Sequence, residues 1–181
     1  MRKIIGLTAV AMLAAMSPAV AQQGPVTGTV DIDGSVADRC LFTIDNAVIS
    51  VGELALGGGG SSAGRLNASK LVGQTRTLVG WCNGTAATMD VEALPLTNTS
   101  FTGTAPAGFD TRIDYTATAV ANSVSANDSS IVAGAGSTSN VGLFAGEVDV
   151  TLSSPSSPTN GLLVAGGYVG QVLVTLSPNI N

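Results

Sequence analysis

The chain of 181 residues carries 7 basic and 12 acidic side chains and no histidine, and only 10% of its residues are charged. This balance offers no basic surface to nucleic acid or to an anionic membrane, so we expect neither as a partner. The lack of histidine removes the commonest general base and metal ligand of enzymes, which disfavours a catalytic function.

The N-terminus has the pattern of a secretory signal peptide. Two basic residues precede an apolar run over residues 4–15, and Ala19-Val20-Ala21 forms a small-residue cleavage site. We therefore expect residues 1–21 to be removed on export, so that the mature chain begins at Gln22. The mature chain then has five basic and twelve acidic residues, which gives a formal charge of −7. It contains no apolar segment long enough for a membrane-spanning helix.

The stretch VTGTVDIDGSVADRC, residues 26–40, alternates like a strand that is apolar on one side. Its apolar positions are Val26, Gly28, Val30 and Ile32, with threonine and aspartate between them. In the mature chain this segment begins almost at the free N-terminus, where a segment needs something to hold it in place. Periodicity alone leaves open whether residues 26–36 cover the protein's own core or that of another molecule.

Further strands follow at short intervals. Alternation or strand-like composition between turn signals predicts them over residues 36–44, 47–56, 71–81, 88–94, 111–120, 141–152 and 168–176. Residues 57–65 are predicted as a flexible loop, residues 121–140 as a long connection with a short strand near Ile131, and residues 153–161 as a break at two prolines. About eight strands without an amphipathic helix predict an all-β sandwich in one domain.

The two cysteines, Cys40 and Cys82, are predicted to form a disulfide, because an exported protein meets an oxidising compartment. Two unpaired, buried thiols are the alternative.

Two patterns resemble catalytic or metal-binding motifs. Residues 60–64, GSSAG, fit the nucleophile elbow G-x-S-x-G, but no strand-turn-helix unit surrounds them and no histidine can take the proton of Ser62. Asp31, Asp33 and Asp38 resemble a calcium loop, but its required glycine and glutamate offsets are absent. Neither pattern predicts a site.

A third cluster is acidic. Asp110 and Asp114 share a predicted strand face with Arg112, and such a face is usually solvated rather than catalytic. We therefore predict no catalytic, cofactor-binding or metal-binding residue, and no enzymatic activity.

Three segments together resemble one family, the archaic chaperone-usher pilins, which are grouped with the spore coat protein U-like domains. They are VTGTVDIDGSVADRC running into the first cysteine, WCNGTAATMDV over residues 81–91, and GGYVGQVLVTLSP over residues 166–178. The last is similar to the family's closing strand, with Tyr168, Val172, Val174 and Leu176 on one face. The resemblance covers most of the mature chain, and the Ser/Gly-rich centre and the SPNIN tail depart from it.

The resemblance implies an incomplete immunoglobulin-like sandwich that lacks its final strand. The hydrophobic groove left open is then filled by the N-terminal segment of a neighbouring subunit, a form of strand addition. After the signal peptide over residues 1–21, the resemblance implies a donor segment over residues 22–36 and a pilin-like domain over residues 37–181. The donor residues would be Val26, Gly28, Val30 and Ile32, and the four residues of the closing strand would face the groove.

The expected role is that of a fimbrial subunit for adhesion and biofilm formation. Its expected partners are identical or related subunits, a periplasmic chaperone and an outer-membrane usher, and its expected route is export through the periplasm to a surface fibre. An exported monomeric module that binds carbohydrate or another surface ligand is the alternative, for which Trp81 is the obvious aromatic platform.

Overall fold

The computed structural model describes residues 24–178, so the predicted signal peptide lies outside the described residues. Residues 24–35 and residues 36–178 are separate units. The second unit is all-β apart from the short 3-10 turn Ala68–Lys70. Its strands are β1 Cys40–Ile44, β2 Thr75–Cys82, β3 Thr88–Asn98, β4 Phe109–Asp110, β5 Arg112–Ala121, β6 Val124–Ser129, β7 Ser139–Asn140, β8 Phe144–Ser156, β9 Leu162–Leu163 and β10 Tyr168–Ser177.

The strands form a sandwich whose two layers share one strand. One layer has the order β1-β2-β8-β5-β6, and the other contains β10, β3 and β7. β5 pairs with β8 along most of its length, while its start pairs with β3 through Ile113 opposite Leu96. All of these pairs are antiparallel, and β4 and β9 form a small parallel pair beside them.

The core lies between the layers because alternate residues of each strand are apolar. The fully buried set combines one aromatic residue with small and branched side chains: Met89, Val91, Ala93, Ile113, Tyr115, Ala117, Ala119, Val148 and Leu152. Small residues on β5 allow the two layers to approach closely, as close packing in a protein interior requires.

One side of the sandwich is closed by hydrogen bonds along β3. On the edge of β3 that faces away from β10, Met89 pairs with Ser139 of β7 and the amide of Gly136 donates to the carbonyl of Val91 (2.9 Å). The buried carboxylate of Asp128 accepts from the amide of Ala93 (2.8 Å). Because these groups are satisfied, the edge of β3 that faces away from β10 is covered between Met89 and Ala93.

The structure corrects several predicted elements. Residues 47–56 form no strand, and Gly52 has a positive φ of 67° that interrupts an extended chain. β6 lies within the predicted long connection and pairs along β5. β8 continues to Ser156 through Pro155, which a strand tolerates because the pairing with β5 is irregular there.

The first unit contains the alternating segment that precedes β1. Residues 24–35 form no strand, and every residue of this range is exposed. Val26, Val30 and Ile32 expose between 85% and 92% of their surface. The alternating segment of this single chain therefore exposes its apolar side chains to solvent.

Candidate functional site

An open groove lies along the side of the sandwich opposite the one where Asp128 binds the edge of β3. Its rims are β1 and β10, which are the end strands of the two layers, and it encloses about 790 Å³. Apolar side chains from both layers form its floor: Phe42, Leu71, Leu78, Leu96, Tyr115, Val150 and Leu152. Residues 45–51, which form no strand, border it beyond the end of β1.

β10 is half-buried although its sequence alternates like a core strand. Tyr168, Val172, Val174 and Leu176 face the interior, yet none is fully buried. The first three line the groove, whereas Leu176 lies against Gly80 and is not part of the lining. By contrast, Met89, Val91 and Ala93 of the neighbouring strand β3 are at most 3% exposed. The inward face of β10 therefore borders space that apolar side chains could fill.

The backbone of β10 is paired on one side. β3 is its antiparallel partner from Tyr168 to Ser177, and no strand among residues 24–178 pairs with its other edge. A strand of ten residues with a free edge presents a row of unpaired N–H and C=O groups, which is a ready template for another strand. The groove thus combines an apolar floor with a hydrogen-bonding rim.

Tyr115 supports β10 from the floor of the groove. The pairing of β10 with β3 is irregular between Val169 and Gln171. At this point the Tyr115 hydroxyl lies 2.6 Å from the carbonyl oxygen of Leu94 and 2.8 Å from that of Gln171, so its proton can be donated to either strand. Burial, with a smaller effect from the negative charge of Asp128, raises the pKa of Tyr115 to about 12.

Two glycines permit close approaches at the rims. A Cβ at Gly170 would lie 2.9 Å from the carbonyl oxygen of Leu94, within the irregular part of β10. A Cβ at Gly80 would lie 3.1 Å from Cδ1 of Leu176 and 3.0 Å from Cδ1 of Phe42. Gly80 therefore marks the end of the groove where β1, β2 and β10 converge.

The predicted disulfide is confirmed. Cys40 and Cys82 are bonded, and they are also opposite residues in the β1–β2 pair. Cys82 is buried and Cys40 is half-buried. The bond therefore ties the first residue of β1 to the sandwich.

Asn83 adds a clamp that sequence analysis did not identify. Its Nδ2 donates to the carbonyl of Ala37 (3.1 Å), and its Oδ1 accepts from the amide of Arg39 (2.5 Å). The amide of Asn83 also donates to the carbonyl of Arg39 (3.0 Å). The available signal was the Asn83-Gly84 pair, which indicates a turn but not the partners of the side chain.

The acidic cluster is not a solvated face, so that prediction was wrong. Asp110 is 4% exposed and accepts from the amides of Gly161 (2.7 Å) and Thr159 (3.2 Å) and from the Thr159 hydroxyl. Burial raises its pKa, but these hydrogen bonds outweigh burial and lower the pKa below its ordinary value. Asp110 holds the turn that leads into β9.

Asp114 is also buried and has structural partners. It forms a salt bridge with Arg112 (2.7 Å) and accepts from the hydroxyl of Ser130 (3.1 Å). The Ser130 hydroxyl in turn accepts from the amide of Tyr115 (3.0 Å). A buried charge requires such partners. Through Ser130, which follows β6, the carboxylate of Asp114 also anchors the end of β6 to β5.

Ser62 and Trp81, two further candidates from the sequence, do not line the groove. Ser62 is exposed in the loop that follows Leu56. Within residues 24–178, no group of three or more His, Cys, Asp or Glu side chains could hold a metal ion. Trp81 is half-buried in a shallow recess beside Asp38, Arg39 and Leu41.

Comparisons with protein-family models, with curated proteins and with solved structures find no match. In the part of the chain that is described, no helix has the length and apolar character needed to cross a membrane.

Proposed function

We propose that this protein is a structural fimbrial subunit that polymerises by donor-strand complementation. The residue pattern that resembles archaic chaperone-usher pilins suggested this role. The observation that carries it is the open groove between β1 and β10, in a chain that also has an exposed alternating segment before β1. We call residues 26–36 the arm.

The groove and the arm have complementary chemistry. The groove offers apolar side chains on its floor and a free edge on β10. The arm offers Val26, Val30 and Ile32 at alternate positions and a backbone without strand partners. An arm that enters the groove of a second copy satisfies both, with alternate side chains in the floor and backbone hydrogen bonds along β10.

Burial gives this association its driving force. Each of Val30 and Ile32 contributes roughly 1.5–3 kcal/mol when a largely exposed aliphatic side chain becomes buried. Because the groove and the arm are different surfaces of one chain, the contact does not close on itself and generates a fibre. Adhesion and biofilm formation are the roles expected of such fibres on the cell surface.

The assembly route is part of the proposal. An open groove in a free subunit is an aggregation hazard, because it exposes apolar surface beside an unpaired edge. A periplasmic chaperone is expected to cover it, and an outer-membrane usher to exchange the chaperone for the arm of the next subunit. Export of the mature chain follows from the predicted signal peptide.

The test compares two faces of the arm in the full chain, expressed with its assembly partners. Val30→Asp combined with Ile32→Asp puts charges into the acceptor's groove and should abolish fibres in electron micrographs, because an unpaired buried charge is very costly. The matched control, Thr27→Asp combined with Thr29→Asp, adds the same charges to the opposite face and should leave fibres intact.

Two results would contradict the proposal. Fibres formed equally by both variants would exclude donation through this face of the arm. A stable parent monomer on size exclusion, produced without a chaperone and lacking any tendency to polymerise, would favour a monomeric binding module instead.

A further inference from the structure

Residues 45–51, which border the groove beyond the end of β1, have the pattern of a strand but no strand partner. Ile49 and Val51 are half-buried and pack against the core, whereas Val48 and Ser50 are exposed. Such alternation is typical of a strand. No backbone–backbone hydrogen bond is found between this segment and another described residue. We call residues 45–51 the strap.

The chain is held by its backbone before and after the strap but not within it. β1 pairs with β2 as far as Ile44, which lies opposite Val79. The next backbone contact is at Leu54, whose carbonyl accepts from the amide of Asn67 (2.8 Å). Between these two points the chain lines the groove instead of extending the β1–β2 pair. The strap therefore needs another group to hold its middle in place.

Arg76 supplies that group. It lies opposite Val150 of β8, a residue of the groove floor. Its Nε donates to the carbonyl of Val48 (2.6 Å), at the middle of the strap, and its Nη1 donates to the carbonyl of Thr75 (2.7 Å). The bond to Thr75 fixes the guanidinium group, and the bond to Val48 fixes the strap. Within residues 24–178, the bond to Val48 is the only hydrogen bond found between the strap and the rest of the chain.

An arginine is an unusual residue for this position. Leu78, Gly80 and Cys82, on the same inner face of β2, are apolar or small. Arg76 takes part in no salt bridge with a described residue, so its charge has no ionic partner there. A guanidinium group presents several donors in a fixed planar arrangement, and it can bind carbonyls of two segments at once. An apolar side chain would cover the floor equally well but would leave the strap without a donor.

We infer that Arg76 is a positioning residue that latches the strap as a preformed side of the groove, ready for the arm of a second copy. This inference rests on the proposed function and adds a residue that prepares the groove for its occupant. A binding surface that is already held in its bound arrangement loses less conformational entropy on binding, which raises affinity. The apolar contacts of Ile49 and Val51 are then available to the arm at no further cost in ordering.

Peptide binding to the full mature chain tests the latch. The acceptor carries Val30→Asp and Ile32→Asp, so that its own arm is not donated, and the probe is a fluorescent peptide of residues 24–36. Dissociation constants are measured by fluorescence anisotropy at low and at high salt. Backbone order parameters from nitrogen-15 relaxation report the mobility of the strap in the same acceptors.

Arg76→Met removes the donors and keeps an unbranched side chain at the groove. The latch predicts that this acceptor binds the peptide about threefold to tenfold more weakly, the effect expected when one hydrogen bond is lost. If Arg76 were only part of the lining, the more apolar side chain would tighten binding instead. The order parameters of residues 46–51 should fall below about 0.6, the range of flexible segments, while the urea midpoint stays close to that of the parent.

Two further variants complete the comparison. Arg76→Lys keeps the charge and a donor, so its affinity should lie between those of the parent and Arg76→Met, and it provides a readout if the methionine variant folds poorly. Arg39→Met is the matched control, an equal change at an exposed arginine outside the groove lining. It should leave both the affinity and the order parameters unchanged.

Salt separates the latch from a simple attraction of charges. High salt screens the attraction between a guanidinium group and an acidic peptide, but the latch joins Arg76 to a neutral carbonyl, so the loss in Arg76→Met should persist. Binding as tight as that of the parent, a strap equally rigid without Arg76, or a loss that vanishes at high salt would each overturn this inference and leave the proposed function standing. No binding of the peptide to the acceptor that retains Arg76 would instead overturn donation itself.

Discussion

Cys40 stands directly opposite Cys82 in the antiparallel pair of β1 and β2, with 4.2 Å between their Cα atoms, and the two are joined by a disulfide. β1 is an end strand of its layer and a rim of the groove, so one of its two edges is free. A five-residue strand with a single partner has few hydrogen bonds to hold it, and the disulfide fastens its first residue.

Removing the disulfide should therefore destabilise the subunit. Replacing both cysteines by serine opens a loop with a sequence separation of 42 residues. The chain-entropy estimate for such a loop is roughly 3–4 kcal/mol of unfolding free energy. Urea unfolding of the oxidised protein, the reduced protein and the double variant measures the loss, and an unchanged midpoint on reduction would contradict it.

Tyr115→Phe should loosen the seam between β3 and β10. It removes the hydroxyl that bridges the carbonyls of Leu94 and Gln171 where the strand pairing is irregular. We expect a loss of about 1–2 kcal/mol in unfolding free energy, because two carbonyls in a partly buried position are left without this donor. Thr118→Val is the control: it removes a hydroxyl from β5 for which no hydrogen bond to a described residue is found, and it should cost much less.

The raised pKa of Tyr115 predicts that the folded protein loses stability at alkaline pH. Since burial raises the pKa of Tyr115 to about 12, the neutral phenol is favoured in the folded state. Above pH ~10 the unfolded chain releases this proton first, so stability should fall as pH rises through the interval up to the folded pKa. Urea midpoints measured from pH 9 upwards should fall less steeply in Tyr115→Phe than in the parent, and identical slopes would contradict the assignment.

Gly170→Ala should weaken the pairing of β10 with β3, and it leaves the sequence of the arm unchanged. The new Cβ would lie within about 3 Å of backbone atoms of residues 94–96. These residues belong to β3, so they cannot shift without moving that strand. We expect a cost on the order of 1–3 kcal/mol in unfolding free energy, as for overpacking in a core. Gly59→Ala, in an exposed loop with no atom within 4 Å of the new Cβ, should be close to neutral. Equal melting temperatures for the two variants would disprove the close contact.

Asp110→Asn should lower stability and flatten its dependence on acid. The folded pKa of Asp110 lies below its model-compound value of 3.8 because Gly161 and Thr159 donate to the ionised carboxylate. This contribution is fully present above pH ~4 and is lost as pH falls through the folded pKa. At neutral pH the substitution should cost roughly 1.5–3 kcal/mol.

Glu147→Gln is the matched control for Asp110, since it neutralises an exposed carboxylate on β8. Its acid unfolding profile should follow that of the parent. An Asp110→Asn protein that lost stability below pH 4 as steeply as the parent would show that another carboxylate controls acid unfolding.

The sequence by itself determined the all-β class, the disulfide and the inward face of β10. Tyr168, Val172, Val174 and Leu176 could be assigned to one face because side chains of a strand alternate with period two, which is a local property. The cysteines could be paired because only one pairing exists and export provides an oxidising compartment.

The tertiary structure decided which faces are covered and which carboxylates are buried. Residues 124–129 contain one branched apolar side chain, Val124, and they become β6 because β5 offers them a partner along its length. Asp110 is buried because residues 157–161 fold over it and donate hydrogen bonds. The sequence around Asp110 does not predict this burial, since the partners are about 50 residues away. Alternation identifies the inner face of a strand but not the strand beside it, so the free edge of β10 and the groove beneath it appear only when both layers are in place.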